Sequence, residues 1–170
     1  MPRLTSRTLA RHRADRDGAE RDGAEQDGAD RDRPGEPIPP VIRDLDVAVP
    51  VGRVWAALTE AATIKAWLTC QNVTFEARVG GRYSLFDGDA TGQITAVRPP
   101  RLLEYTWMMI GWSEGATPSL VRWTLTPTAG RKGTRLRLVH EGFPDRSTRD
   151  AHDAGWDSSF LDKLLPWLKR

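Results

Sequence analysis

Cysteine is nearly missing from this chain of 170 residues: Cys70 stands alone. An intrachain disulfide is thereby excluded, and with it the small disulfide-stapled scaffolds. Long apolar runs are missing as well. Nothing in the sequence approaches the roughly 20 consecutive apolar residues that a membrane-spanning helix needs, and the N-terminus lacks the apolar stretch of a secretory signal. Charge of one sign is also missing. The balance of 25 Lys+Arg against 23 Asp+Glu leaves +2, too even for the field that marks a nucleic-acid or anionic-membrane partner. The cytoplasm is the expected location, since a lone thiol suits a reducing compartment.

Aromatic residues are absent from residues 1–40, whereas all 7 tryptophans lie beyond residue 50. Residues 16–30 repeat a five-residue unit, Arg-Asp-Gly-Ala-Glu twice and then Gln-Asp-Gly-Ala-Asp. Such a segment buries too little apolar surface to offset the entropy of ordering it. Residues 1–40, ending in the proline-rich stretch from Pro34 to Pro40, are expected to be a disordered tail and linker. The arginines at 3, 7, 11 and 13 faintly resemble a presequence, but the acidic, glycine-rich repeat breaks that pattern. Residues 41–170 remain as one domain, of a size that can bury a core without disulfides or metal.

Periodicity predicts the elements of that domain. Leu45, Val47 and Val49 alternate with Asp44 and Asp46 in a first strand over Val41 to Val49. Pro50 ends it and suits a helix start. Val51, Val54, Trp55 and Leu58 then follow at helical spacing, and Ile64, Trp67 and Leu68 mark a second short helix over about Thr63 to Leu68. The period changes to two from Val73 to Ala77, again from Arg82 to Phe86 after the Gly80-Gly81 turn, and from Thr91 to Val97. Three more strands carry Leu103, Tyr105, Trp107 and Met109, then Val121, Trp123 and Leu125, then Leu136, Leu138 and His140. Glu104 and Arg122 share the outward parity and are expected to pair across strands. Ser147 with Asp150 resembles a capping box for a long last helix. Its apolar stripe is Trp156, Phe160, Leu161, Leu164, Leu165 and Leu168, and Pro166 is expected to loosen its last turn. Six strands in hairpin succession make an antiparallel meander, and the last helix must cover its apolar face. The predicted class is α+β: a curved antiparallel sheet of about seven strands wrapped around a long C-terminal helix.

A cavity between sheet and helix would be walled by Tyr83, Tyr105, Trp107, Met109, Trp123, Trp156, Phe160 and Leu164, with Trp112 on the 110–118 loop as a lid. Core packing explains the same aromatics equally well. His140 ends the seventh strand on the inward parity; it could orient a ligand or move a proton, but a structural hydrogen bond is the favoured role. His152 and Asp153 lie near it in the last helix. Without cysteine or carboxylate pairs at metal spacing, no metal and no other cofactor is expected. No phosphate-binding glycine loop or nucleophile elbow is present.

Several residues together resemble a known family: Pro50, Val54-Trp55, Leu58-Thr59, Trp67, Val79 to Tyr83, Gly92, Ile94, Pro99, Leu102 to Trp107, Pro118-Ser119 and Leu125 to Pro127. Gly133-Thr134, Leu136, Leu138, His140, Gly142-Phe143 and Gly155-Trp156 complete the set. The chain resembles the bacterial members of the helix-grip, START-like superfamily, also called SRPBCC. Within it the resemblance is to the group named after the C-terminal domain of the activator of heat-shock protein 90 ATPase. Glu60-Ala61 departs from the aspartate-proline pair common there. The resemblance implies a helix-grip fold and, first, binding of a small apolar or aromatic molecule. Similarity to the polyketide cyclases of the superfamily implies an alternative, an enzyme using His140 with Tyr83 or Tyr105. A co-chaperone-like interaction module is the third.

Overall fold

Alternation of apolar and polar side chains builds the sheet strand by strand. In the computed structural model, which describes residues 36–113 and 115–170, seven strands pair: β1 (Val41–Val47), β2 (Thr74–Phe75), β3 (Arg82–Leu85), β4 (Ala90–Arg98), β5 (Leu102–Met109), β6 (Ser119–Pro127) and β7 (Thr134–Glu141). Every ladder is antiparallel, and the sheet order β1-β7-β6-β5-β4-β3-β2 is a six-strand meander with β1 added beside β7. The expected tail falls outside the described residues up to residue 35.

Inward residues of adjacent strands meet in register. Tyr105 stands opposite Val121, Trp123 opposite Leu138, and Val121 opposite His140. All five are buried. The outward face carries ion pairs. Arg122 Nε donates to Glu104 at 2.7 Å, as the parity predicts, while Arg137 pairs with Asp44 and Arg135 with Asp46. Water and salt screen pairs on this face, so they add little, and the inner face holds the sheet to its helix.

Two short helices, α1 (Val51–Thr59) and α2 (Ala61–Leu68), follow β1. Their buried faces carry Val54, Leu58, Ile64, Trp67 and Leu68, and the Trp67 indole N–H donates to the Ala57 carbonyl at 2.8 Å, tying the pair together. The closing helix has three parts: α3 (Arg146–Gly155), a wider π turn (Trp156–Leu161) and α4 (Asp162–Leu168). Phe160 stacks on Trp123 at 5.7 Å and meets Trp67 edge-on at 4.7 Å, so this helix seals the core against both the sheet and α2. Arg43 on the edge strand reinforces the seal by donating to Asp153 and Asp157 at 2.7 Å each. Those bonds raise the pKa of Arg43 and lower that of Asp157.

Four expectations need correction. The first strand stops at Val47, short of Val49. The strand expected over Val73 to Ala77 keeps only two residues, because the Arg78 N–H turns back onto the Glu76 carbonyl at 2.7 Å and ends the ladder. The last helix is capped by Asp145 rather than by Ser147 with Asp150: the Asp145 carboxylate accepts from the Thr148 N–H at 2.6 Å and its hydroxyl at 2.9 Å. Gly142, at φ 80°, turns the chain early enough for the cap to fall there. Finally, the helix runs through Pro166 to Leu168, and its irregular turn lies upstream, over Trp156–Leu161. No helix among the described residues is long and apolar enough to cross a membrane.

Candidate ligand-binding site

The π turn gives the last helix its contact with an open space. A cavity of about 350 Å³ lies between that turn and the strands around β5. Its apolar wall is Phe86, Trp107, Met109, Trp156 and Phe160, and its polar groups are Asp89, His152, Ser159 and Lys163. Inserted π turns occur often at functional sites, and this one supplies Trp156, Ser159 and Phe160. Phe86 reaches the cavity from the β3–β4 turn, where Phe86 and Asp87 both hold left-handed backbone at φ 52° and 60°. Non-glycine residues take that region at a cost of about 1–3 kcal/mol and do so mainly where the surroundings hold them there.

Four of the expected lining residues come together here: Trp107, Met109, Trp156 and Phe160. Tyr83, Tyr105, Trp123, His140 and Leu164 lie outside the lining, buried in the core. Trp112 is half-buried and meets the His152 ring edge-on at 5.7 Å without lining the cavity. The strand expected over Arg82 to Phe86 stops at Leu85, and the turn after it carries Phe86 to the cavity. Asp89, Ala151, Gly155, Ser159 and Lys163 had no signal in hydrophobic periodicity alone. Ala151, Gly155, Ser159 and Lys163 nevertheless follow one another at intervals of four, the spacing of a helix face that flanks Trp156.

The core polar groups are committed to one another. The Tyr83 hydroxyl donates to the Thr106 carbonyl at 2.8 Å, and the Tyr105 hydroxyl accepts from the Trp123 indole N–H at 3.0 Å. Burial raises both phenol pKa values, so both stay protonated at neutral pH. An indole nitrogen only donates, which fixes the histidine tautomers. Trp156 Nε1–H donates to His140 Nδ1 at 2.9 Å, so the His140 proton is on Nε2 and donates to Ser119 Oγ at 2.7 Å. Ser119 in turn donates to the Trp107 carbonyl at 3.2 Å. Trp107 Nε1–H donates to His152 Nε2 at 3.1 Å, and His152 Nδ1–H donates to the Thr148 carbonyl at 2.7 Å. Each tryptophan of the cavity wall is thus oriented by a neutral histidine.

Protonating either histidine would place two N–H groups face to face. Burial, with the neighbouring His152, lowers the His140 pKa to about 3, and burial lowers that of His152. The folded pKa lies below the unfolded value of 6.5. On acidification the unfolded chain therefore binds a proton first, and stability falls as pH drops below about 6.5. Between pH 7 and 5 the loss expected from His140 is about 2 kcal/mol. Urea unfolding at the two pH values checks this. A flat profile would contradict the buried neutral histidine. Among the described residues, no group of three or more His, Cys, Asp or Glu side chains is placed to hold a metal ion.

This geometry has known relatives. The family profile described as "Activator of Hsp90 ATPase homolog 1-like protein" matches residues 48–168. An activator of 90 kDa heat shock protein ATPase homolog from Dictyostelium discoideum is 28% identical over 97 residues, 56% of this chain and 24% of that protein. The chain therefore spans about a quarter of the length of that curated relative. A solved Mesorhizobium loti protein, MLL2253, is 32% identical at a TM-score of 0.65, covering 78% of this chain and 98% of the other. The Plasmodium falciparum Hsp90 activator PFC0360w shares the fold at a TM-score of 0.70 and 23% identity, covering 76% and 96%. With the family profile matched over most of the chain and the helix-grip architecture in place, the protein belongs to the family of activator of Hsp90 ATPase homolog 1-like proteins.

Proposed function

We propose that the domain holds a small apolar or aromatic molecule in the cavity between the sheet and the last helix. One observation carries this reading: two tryptophans of the wall, Trp107 and Trp156, have their indole N–H groups satisfied by histidines, leaving their rings as pre-oriented contact surface. Fixed aromatic walls with a few polar groups suit small-molecule recognition. Immobilising those walls before binding also lowers the entropy cost of association. Both nitrogens of His140 and both tyrosine hydroxyls are engaged internally, which favours a container over a cyclase-like catalyst.

Titration with naphthalene derivatives, followed by tryptophan emission and native mass spectrometry, tests the proposal. Saturable quenching with one molecule bound per chain is expected. Unchanged emission and a bare mass across an apolar and aromatic panel would refute it. The Dictyostelium relative's name supports a second reading, engagement of an Hsp90-type chaperone. A pull-down with purified chaperone, together with its ATPase rate, decides that one; no capture and no change in rate would exclude it.

A further inference from the structure

The mouth of the cavity carries a cation with spare hydrogen-bonding capacity, and we propose that it selects an organic anion: an aromatic or alicyclic carboxylate whose acid group meets Lys163. The inference rests on the cavity being a binding site and adds the chemistry of the occupant. Lys163 is half-buried beside the π turn, and its Nζ donates to the Leu68 carbonyl at 3.3 Å. Leu68 closes α2, so this bond sets the ammonium against the negative end of a helix. An ammonium has three donors, and two remain. Among the described residues no carboxylate lies within ion-pair distance of it. An incoming carboxylate can therefore take up a free donor in a charge-assisted hydrogen bond.

Asp89 lines the same mouth with the opposite charge, but it is exposed, and water and salt screen it more than they screen Lys163. Ser159 adds a hydroxyl donor at the rim. A volume of about 350 Å³ lies near the lower end of the range of roughly 300–1,000 Å³ for ligand pockets. That size suits an acid of one or two rings, with the rings against Trp107, Trp156 and Phe160.

Naphthoate and its neutral counterpart naphthylmethanol share a ring system and separate charge from shape. Calorimetry on the full chain is expected to find naphthoate bound about tenfold more tightly than the alcohol, as a charge-assisted hydrogen bond implies. Lys163→Gln should remove that difference and Lys163→Arg should retain it. Asp89→Asn should widen it by removing a like charge, and melting curves establish that each variant is folded. Equal affinities in the parent protein, or a preference that survives Lys163→Gln, would overturn the anion assignment while leaving the cavity reading intact. If neither compound binds, the cavity reading falls and this inference falls with it.

Discussion

Alanine at Gly92 is expected to cost at least about 3 kcal/mol and to lower the melting temperature by on the order of 10 °C, a far larger effect than a single methyl group brings on a sheet surface. A Cβ built at this position would lie 1.9 Å from the Thr106 carbonyl oxygen and 2.8 Å from the Tyr83 ring. Neither neighbour can yield cheaply. Thr106 is in the β5 backbone, and its carbonyl is the acceptor of the Tyr83 hydroxyl. Tyr83 stands directly opposite Gly92 in the β3–β4 ladder, and its ring lies over the missing side chain. The methyl would therefore push apart a strand pair and a buried hydrogen bond together. Gly52, in the first turn of α1, is the control: nothing lies within 4 Å of its added Cβ. Gly52→Ala should stabilise the protein by about 0.5–1 kcal/mol through helix propensity alone. Thermal unfolding of both variants provides the comparison, and a Gly92→Ala protein melting within a degree or two of the parent would refute the argument.

Gly92 also marks where sequence reasoning stops. Its place in β4 follows from the alternation around it, but the reason that no side chain is tolerated lies in Thr106 on the next strand. The strands whose alternation is regular were legible, because inward parity names Tyr105, Trp107, Trp123, Leu136 and Leu138, and all are buried. The pairing of Glu104 with Arg122 was legible for the same reason. The helix cap was not, since Ser147 and Asp145 are both good capping residues and only the turn at Gly142 decides between them. The cavity was half legible. Trp107, Met109, Trp156 and Phe160 follow from periodicity, but Phe86 arrives on left-handed backbone that no local pattern announces, and Lys163 faces the space through a helix containing a π turn. A hydrophobic stripe predicts what a helix buries. It does not predict which polar residues border a gap in that burial.

Trp156 joins the cavity to the core, and its replacement separates two kinds of loss. Trp156→Ala is expected to destabilise the domain by about 3–5 kcal/mol, the range for truncating a buried aromatic. The ring contacts Phe160 at 4.8 Å, Trp107 at 5.5 Å and Trp123 at 5.8 Å, so its loss enlarges the cavity as well as emptying core volume. Trp156→Phe keeps an aromatic ring there but removes the N–H, leaving His140 Nδ1 buried without a donor. That orphaned acceptor should cost about 1–3 kcal/mol. It also makes His140 easier to protonate, because the opposing N–H is gone, so the stability loss between pH 7 and 5 should shrink. His140→Leu together with Trp156→Phe should cost less than the sum of the two single replacements, since the paired polar groups are then removed together. Urea unfolding of the four proteins at both pH values gives the coupling energy and its pH dependence from one set of curves. Strict additivity, with the same pH slope in Trp156→Phe as in the parent, would mean that the bond between Trp156 and His140 does not hold the cavity wall. A coupling of about 1 kcal/mol or more, with the flattened slope, would establish that the histidine acts by remaining neutral and fixing the ring on which a ligand would rest.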